Sequence, residues 1–400
     1  MMTAPRNPDR SGQRTVKWVC ALMFVLAVTD CGVDSGGTGA PTSSFASGPI
    51  TGFGSVIVHR VHFDDSHARV ADADGNLRSP GDLRLGMTTE IYGSAVVTVA
   101  TGSTSIATSI IFASAIVGRV DNIDSAAATL VVLGQTVVVT PTTVFDNSLT
   151  GGLAGLSIGD VIEVYALVDA ASGSYRATRV DRKTSVAAYQ LRGIVSNLDT
   201  VAKTFKIGVQ QISYANLQGS EVPNTLGDGR FVRVQLQIVP AGGVWLATRL
   251  QDSVPVLQNQ SETLLEGLIS KFTSNAQFTV NGIDVDASRA SFPTGSIGLG
   301  LGVRVAIEGT AVGKVLSAST VQIRTEADVA TEGFELDGAI ASIDTVNGTF
   351  VLFGLTVAYA GSAFVGGTIS DLAAGKNIEL TGTLSTDGTQ LQAVQIRFLP

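Results

Sequence analysis

Gln277-Phe278-Thr279-Val280-Asn281-Gly282-Ile283-Asp284-Val285-Asp286 decides the fold class of this 400-residue chain. Apolar side chains take every second position on both sides of Asn281-Gly282, the period of a half-buried strand rather than of a helix. Asn-Gly is the chemistry of a two-residue hairpin turn, because a type I′ turn needs positive φ at both central residues. These ten residues predict a β-hairpin. Its turn glycine recurs as Gly134, Gly208 and Gly354.

Outward from the hairpin, about seventy residues are written five times. A glycine opens each copy, at Gly48, Gly118, Gly193, Gly267 and Gly338, at spacings of 70, 75, 74 and 71 residues. A second glycine starts a late strand, at Gly86, Gly159, Gly229, Gly302 and Gly375. Each copy closes on an alanine (Ala107, Ala177, Ala247, Ala318, Ala393) with an aliphatic residue three places on (Ile110, Val180, Leu250, Val321, Ile396). In the fourth copy a strand over 265–270 precedes the hairpin. After it come a less regular stretch with room for one helical turn and then a strand pair, clearest in the fifth copy as Gly375-Lys-Asn-Ile-Glu379-Leu-Thr-Gly382 and Gln392-Ala-Val-Gln-Ile396-Arg-Phe398.

Five strands with an insert between the third and fourth are the order of an OB-like small barrel, whose closure removes exposed edges. An isolated hairpin would be marginal in water. The expected fold class is all-β: a tandem array of about five small OB-like five-stranded β-barrels, at 48–115, 116–185, 188–253, 262–326 and 331–400. Short links at 253–261 and 325–331 predict an elongated particle.

The first thirty residues read as a processing signal. Arg10, Arg14 and Lys17 precede an apolar run from Trp18 to Val28 that is too short to span a bilayer, and Cys31 follows. Residues 1–30 are expected to be a signal peptide. Leu26-Ala-Val-Thr-Asp30-Cys31 resembles a bacterial lipobox, with Asp30 departing from the small residue usual before the cysteine. That resemblance implies lipidation of Cys31 and a membrane-anchored lipoprotein. Cys20 and Cys31 are the two cysteines of the chain, so after cleavage a single thiol remains and no disulfide. A Gly/Ser-rich tether is expected at 31–47. Gly32 after the cysteine points to the outer membrane, on its periplasmic or surface face.

A formal charge of −8 and the lack of any Lys/Arg-rich run argue against nucleic acid as a partner. The expected partners are the membrane, through the N-terminal lipid, and an envelope protein or glycan.

Gly48-Pro-Ile-Thr-Gly-Phe-Gly-Ser-Val-Ile-Val58, Leu85-Gly86-Met-Thr-Thr-Glu-Ile91 and the repeated closing Ala-Thr-Arg-Val or Ala-Val-Gln-Ile are similar to the bacterial family called domain of unknown function 5666. The resemblance covers most of 48–399 and implies an envelope lipoprotein of several such units, with no activity attached. Copies three and four depart at the late strand, where Arg233 and Ala306 replace the glutamate seen as Glu90, Glu163 and Glu379.

Chemistry-bearing clusters are sparse. All three histidines fall in copy one, and His59, His62 and Asp64 near one hairpin tip are weak candidates for a divalent metal, although their spacing matches no zinc pattern. His59-Arg60 stands where copy four has Asn281-Gly282, so this turn is expected to differ from the others. Asp72-Ala-Asp74-Gly75-Asn76 lacks the downstream glutamate of a calcium loop and reads as an acidic turn. Gly295-Ser-Ile-Gly-Leu-Gly-Leu-Gly302 lacks a P-loop lysine. Gly155-Leu-Ser157-Ile-Gly159 has the spelling of a nucleophile elbow, but Gly159 leads into a strand rather than a helix. Trp245, Tyr175 and Tyr189 are the candidate stacking residues, with a plain exposed position on a barrel rim as the competing account of each.

The expectation is therefore a non-enzymatic structural or adaptor protein of the cell envelope, with no catalytic residue and no cofactor. The alternative is an oligosaccharide or small-ligand binding module on barrel faces, and an envelope hydrolase ranks last.

Overall fold

The computed structural model describes residues 43–100 and 102–400. The signal segment, Cys31 and most of the tether lie outside the described residues. The tether ends earlier than 47: Ser43–Pro49 is a strand, and Ser44 to Ser47 are buried because they pair on both sides.

Unit two shows the plan. Its strands are Ile116–Asp124, Thr129–Val132, Gln135–Val138, Val161–Asp169 and Ser174–Lys183. The first pairs the second and the second the third, both antiparallel; the third pairs the fifth in parallel; the fifth pairs the fourth and the fourth the first, both antiparallel. The pairing runs full circle, so the unit is a closed five-stranded barrel. A 3-10 turn, Gly152–Gly155, occupies the insert between the third and fourth strands. Units three and four close by the same circle, and units one and five do so with their strands broken into shorter pieces.

Each recurring residue has a mechanical reason. The second glycine has positive φ in every copy, from +76° at Gly302 to +97° at Gly159. In that left-handed turn its N–H donates to the carbonyl of the residue two beyond the opening glycine: Gly86 to Ile50, Gly159 to Val120, Gly229 to Val195, Gly302 to Ile269 and Gly375 to Ile340, at 2.8 to 2.9 Å. The opening glycine instead leaves room for a hairpin side chain of its own unit. A Cβ at Gly118 would collide with Leu133, at Gly193 with Ile207, at Gly267 with Asn281 and at Gly338 with Phe353.

The closing alanine marks a β-bulge. In all five units the fifth strand holds one residue too many immediately after that alanine, at Thr108, Thr178, Thr248, Ser319 and Val394. A bulge sharpens twist and bends the strand, as a small barrel requires. The aliphatic residue three places on is then buried in each core, at most 3% exposed.

The units follow one another in sequence but are not strung end to end. The described residues, from 43 to 400, form one compact body. The first strand of unit one pairs in parallel with that of unit four, Ser44 to Ser47 against Glu262 to Leu265, and Gly52-Phe53 pairs in parallel with Glu335-Leu336 of unit five. Units two and three join through Val117↔Gln190 and Ile116↔Leu191. The cores follow these joins: units one and five share one, two and three a second, and Phe45 of unit one enters that of unit four. The link at 325–331 is largely an α-helix, Glu326–Glu332, capped reciprocally by Thr325 and Asp328. Among the described residues no helix is long and apolar enough to cross a membrane.

Candidate functional site

The hairpin of unit one keeps the geometry of its relatives without their glycine. His59 (φ 54°) and Arg60 (φ 61°) are both left-handed, like Asn281-Gly282, Leu133-Gly134 and Phe353-Gly354. The expected divergence falls instead on unit three, where the glycine, Gly208, comes first and Val209 has no positive φ.

The weak metal candidates do not converge. His59 turns to unit four, with Nε2 4.0 Å from Glu266 Oε2. His62 turns to unit five, 3.7 Å from Glu335. Asp64 accepts from the backbone of Ser66. Arg60 contacts Glu332 beyond the unit-four barrel. The residues that set copy one apart thus hold it to its neighbours.

The other motifs resolve locally. Asp72 accepts from the N–H groups of Asp74 and Asn76 and pairs with Arg78 at 2.6 Å, the acidic turn its sequence predicts, while Asp74 docks unit three through Gln235 at 2.9 Å. Ser157 opens a turn closed by Asp160 and is followed by a strand. The stacking candidates are not rim residues: Tyr175 and Tyr189 are buried, and Trp245 packs edge-on against Tyr189 and donates to Gln210. Aromatic area here serves the shared core because the units pack together.

Of the cavities that open where the units meet, two are lined by several charged residues. The larger, about 670 Å³ between units one, two and three, is charged, with Lys183 paired to Glu163 at 2.7 Å and Arg179 to Asp181 at 2.7 Å, and Arg233 reaches its wall as well. Arg179 also donates to the Leu85 carbonyl of unit one. The smaller, about 320 Å³, lies chiefly between units one, three and four and is lined by Glu90, Tyr92, Arg192, Arg233 and Glu266. Glu266 is taken by Arg304 at 2.6 Å. Burial would raise the Glu266 pKa, but Arg304, His59 and Arg324 hold it below the usual glutamate value.

The other charges of the smaller cavity lack such partners. Arg192 donates to Ser253 Oγ at 2.7 Å and lies over the Phe231 ring at 4.9 Å. Arg233 is 5% exposed, and burial together with neighbouring Arg192 draws its pKa down to about 10. Burial raises the pKa of Glu90, with Arg192 and Arg233 opposing. Arg233 is the late-strand position at which unit three departs from glutamate, and it faces the glutamate that unit one retains. The sequence marks the substitution; only assembly of the units shows what it faces.

Residues 117–181 and 337–397 each match the family model described as domain of unknown function (DUF5666). Units two and five are thus the parts of the chain similar to DUF5666. Units one, three and four repeat the strand circle, glycine bond and bulge of these two. No curated protein matches the chain. Among solved structures, a chain described as Drosophila Unr CSD456 aligns over 58% of this chain and 99% of its own, at 14% identity and a TM-score of 0.13.

Proposed function

We propose that this protein is an exported, non-catalytic structural or adaptor protein of the bacterial cell envelope, anchored through a lipid on Cys31. The reading is supported by where the polar residues that distinguish the copies are spent. His59, Arg60, His62, Asp74 and Arg179 each reach from one unit to another, so the variable side chains serve to weld five barrels into one presenting body. The positive n-region, short apolar run and single retained cysteine supply the export and anchoring half.

The test is metabolic fatty-acid labelling of the native chain and of Cys31→Ala, followed by capture of partners from envelope membranes with the lipidated protein. Labelling that depends on Cys31 and a reproducible envelope partner are expected. Labelling that persists in Cys31→Ala overturns the anchor, and hydrolysis of envelope substrates by the purified chain overturns the non-catalytic role.

A further inference from the structure

Two arginines oppose each other on neighbouring strands of unit three. Arg192, on the first strand Tyr189–Asp199, and Arg233, on the fourth strand Phe231–Leu236, are direct cross-strand partners. Like charges directly opposite destabilise a sheet, and the repulsion grows as water is withdrawn. Neither guanidinium has a carboxylate within 4 Å among the described residues, and that of Arg233, a residue nine-tenths buried, makes no hydrogen bond to any of them. Both line the 320 Å³ cavity, Arg233 bordering the 670 Å³ one as well, and Glu90 of unit one lines the smaller cavity without closing to ion-pair distance.

A buried charge is ordinarily paired or neutralised. Elsewhere in this protein that rule is met: Arg304 has Glu266, and Arg179 has Asp181. Among the described residues the arginine pair departs from it: Arg192 rests on the Phe231 ring, and both guanidinium groups border the open cavity.

We propose that this cavity binds a small carboxylate bearing hydroxyl groups, of the uronic-acid class, with Arg192 and Arg233 holding the carboxylate and Glu90 accepting from a hydroxyl. Two guanidinium groups against one uncommitted glutamate leave a single positive charge to be matched, which suits a monoanion. A planar carboxylate fits the fork of an arginine. Glu90, as an acceptor, calls for a donor on the same ligand and would repel a second negative charge. The volume stands at the low end of small-molecule sites, about 300 to 1,000 Å³, which matches one sugar-acid ring and not an extended glycan. This inference goes beyond the adaptor role and does not depend on it.

Isothermal titration of the full chain with D-glucuronate, D-glucose and inorganic phosphate tests the site. Glucuronate should bind at least tenfold more tightly than phosphate, and glucose should give no heat. In Arg233→Gln glucuronate affinity should fall at least tenfold while the melting temperature holds or rises, because the substitution removes an uncompensated buried charge. Glu90→Gln should shrink the preference for glucuronate over phosphate. An absence of heat with glucuronate, phosphate binding equally or more tightly, or unchanged affinity in Arg233→Gln overturns the proposal. A lower melting temperature in Arg233→Gln with affinity retained would make that residue structural and remove the site.

Discussion

His59 Nε2 of unit one lies 4.0 Å from Glu266 Oε2 of unit four, across the parallel pairing of the two units' first strands. The imidazole is 6% exposed, and burial pulls its pKa below the ordinary 6.5 against the opposing pull of Glu266 and Glu308, with Arg324 adding to the depression. The unfolded chain takes up this proton near 6.5, whereas the folded protein does so only at lower pH. Stability from this site is therefore complete above 6.5 and is lost as pH falls from there toward the folded value. Melting curves at about pH 7.5 and about pH 5.5 should show a larger loss for the native protein than for His59→Gln. Equal losses would assign the acid sensitivity to other groups.

Arg60 adopts φ 61° at the second turn position, where units two, four and five have glycine. A left-handed non-glycine residue costs roughly 1 to 2 kcal/mol. The Arg60 contact to Glu332 is exposed, and Glu332 is also held by Arg324, so little is lost with it. Arg60→Gly should leave stability unchanged or raise it by up to about 1 kcal/mol in denaturant titration. A clear loss would show that the contact outweighs the backbone strain.

The two glycine columns should fail differently. At Gly375 a Cβ would meet nothing within 4 Å, so Gly375→Ala carries only the φ +83° penalty, about 1 kcal/mol. At Gly118 the backbone is ordinary and the Cβ collides with Leu133, so Gly118→Ala should cost more than Gly375→Ala. Its cost should also be coupled to Leu133, being smaller when measured in a Leu133→Ala background. Additive effects in that cycle would rule out the collision as the cause.

Arg304 is 5% exposed and holds Glu266 at the junction of units one and four. Arg304→Met leaves a buried carboxylate with His59 as its nearest remaining partner, and a loss of about 3 to 5 kcal/mol is expected. Glu266→Gln/Arg304→Met should recover part of that loss, because the stranded charge is removed along with its partner.

Strand order, barrel closure and the count of units were legible in the sequence because they rest on local rules. The Asn281-Gly282 turn, the period-two hairpin and the two recurring glycines act within one copy, where a missing Cβ or a positive φ has a fixed consequence. The closing alanine and the aliphatic residue three places on are equally local, but that they flank a bulge is seen only in the strand register.

Everything that joins the copies was illegible for the complementary reason. No local pattern says that Ser44 pairs with Glu262, that His59 and His62 leave one hairpin for two different units, or that Arg233 of unit three shares a cavity with Glu90 of unit one. These contacts span more than a hundred residues and depend on which barrel surfaces bury against one another. The sequence by itself determined five barrels and the residues that shape each. Their gathering into one body was decided only in the tertiary structure, where apolar burial and ion pairing between units select one arrangement, and with it the cavity that holds two unmatched arginines.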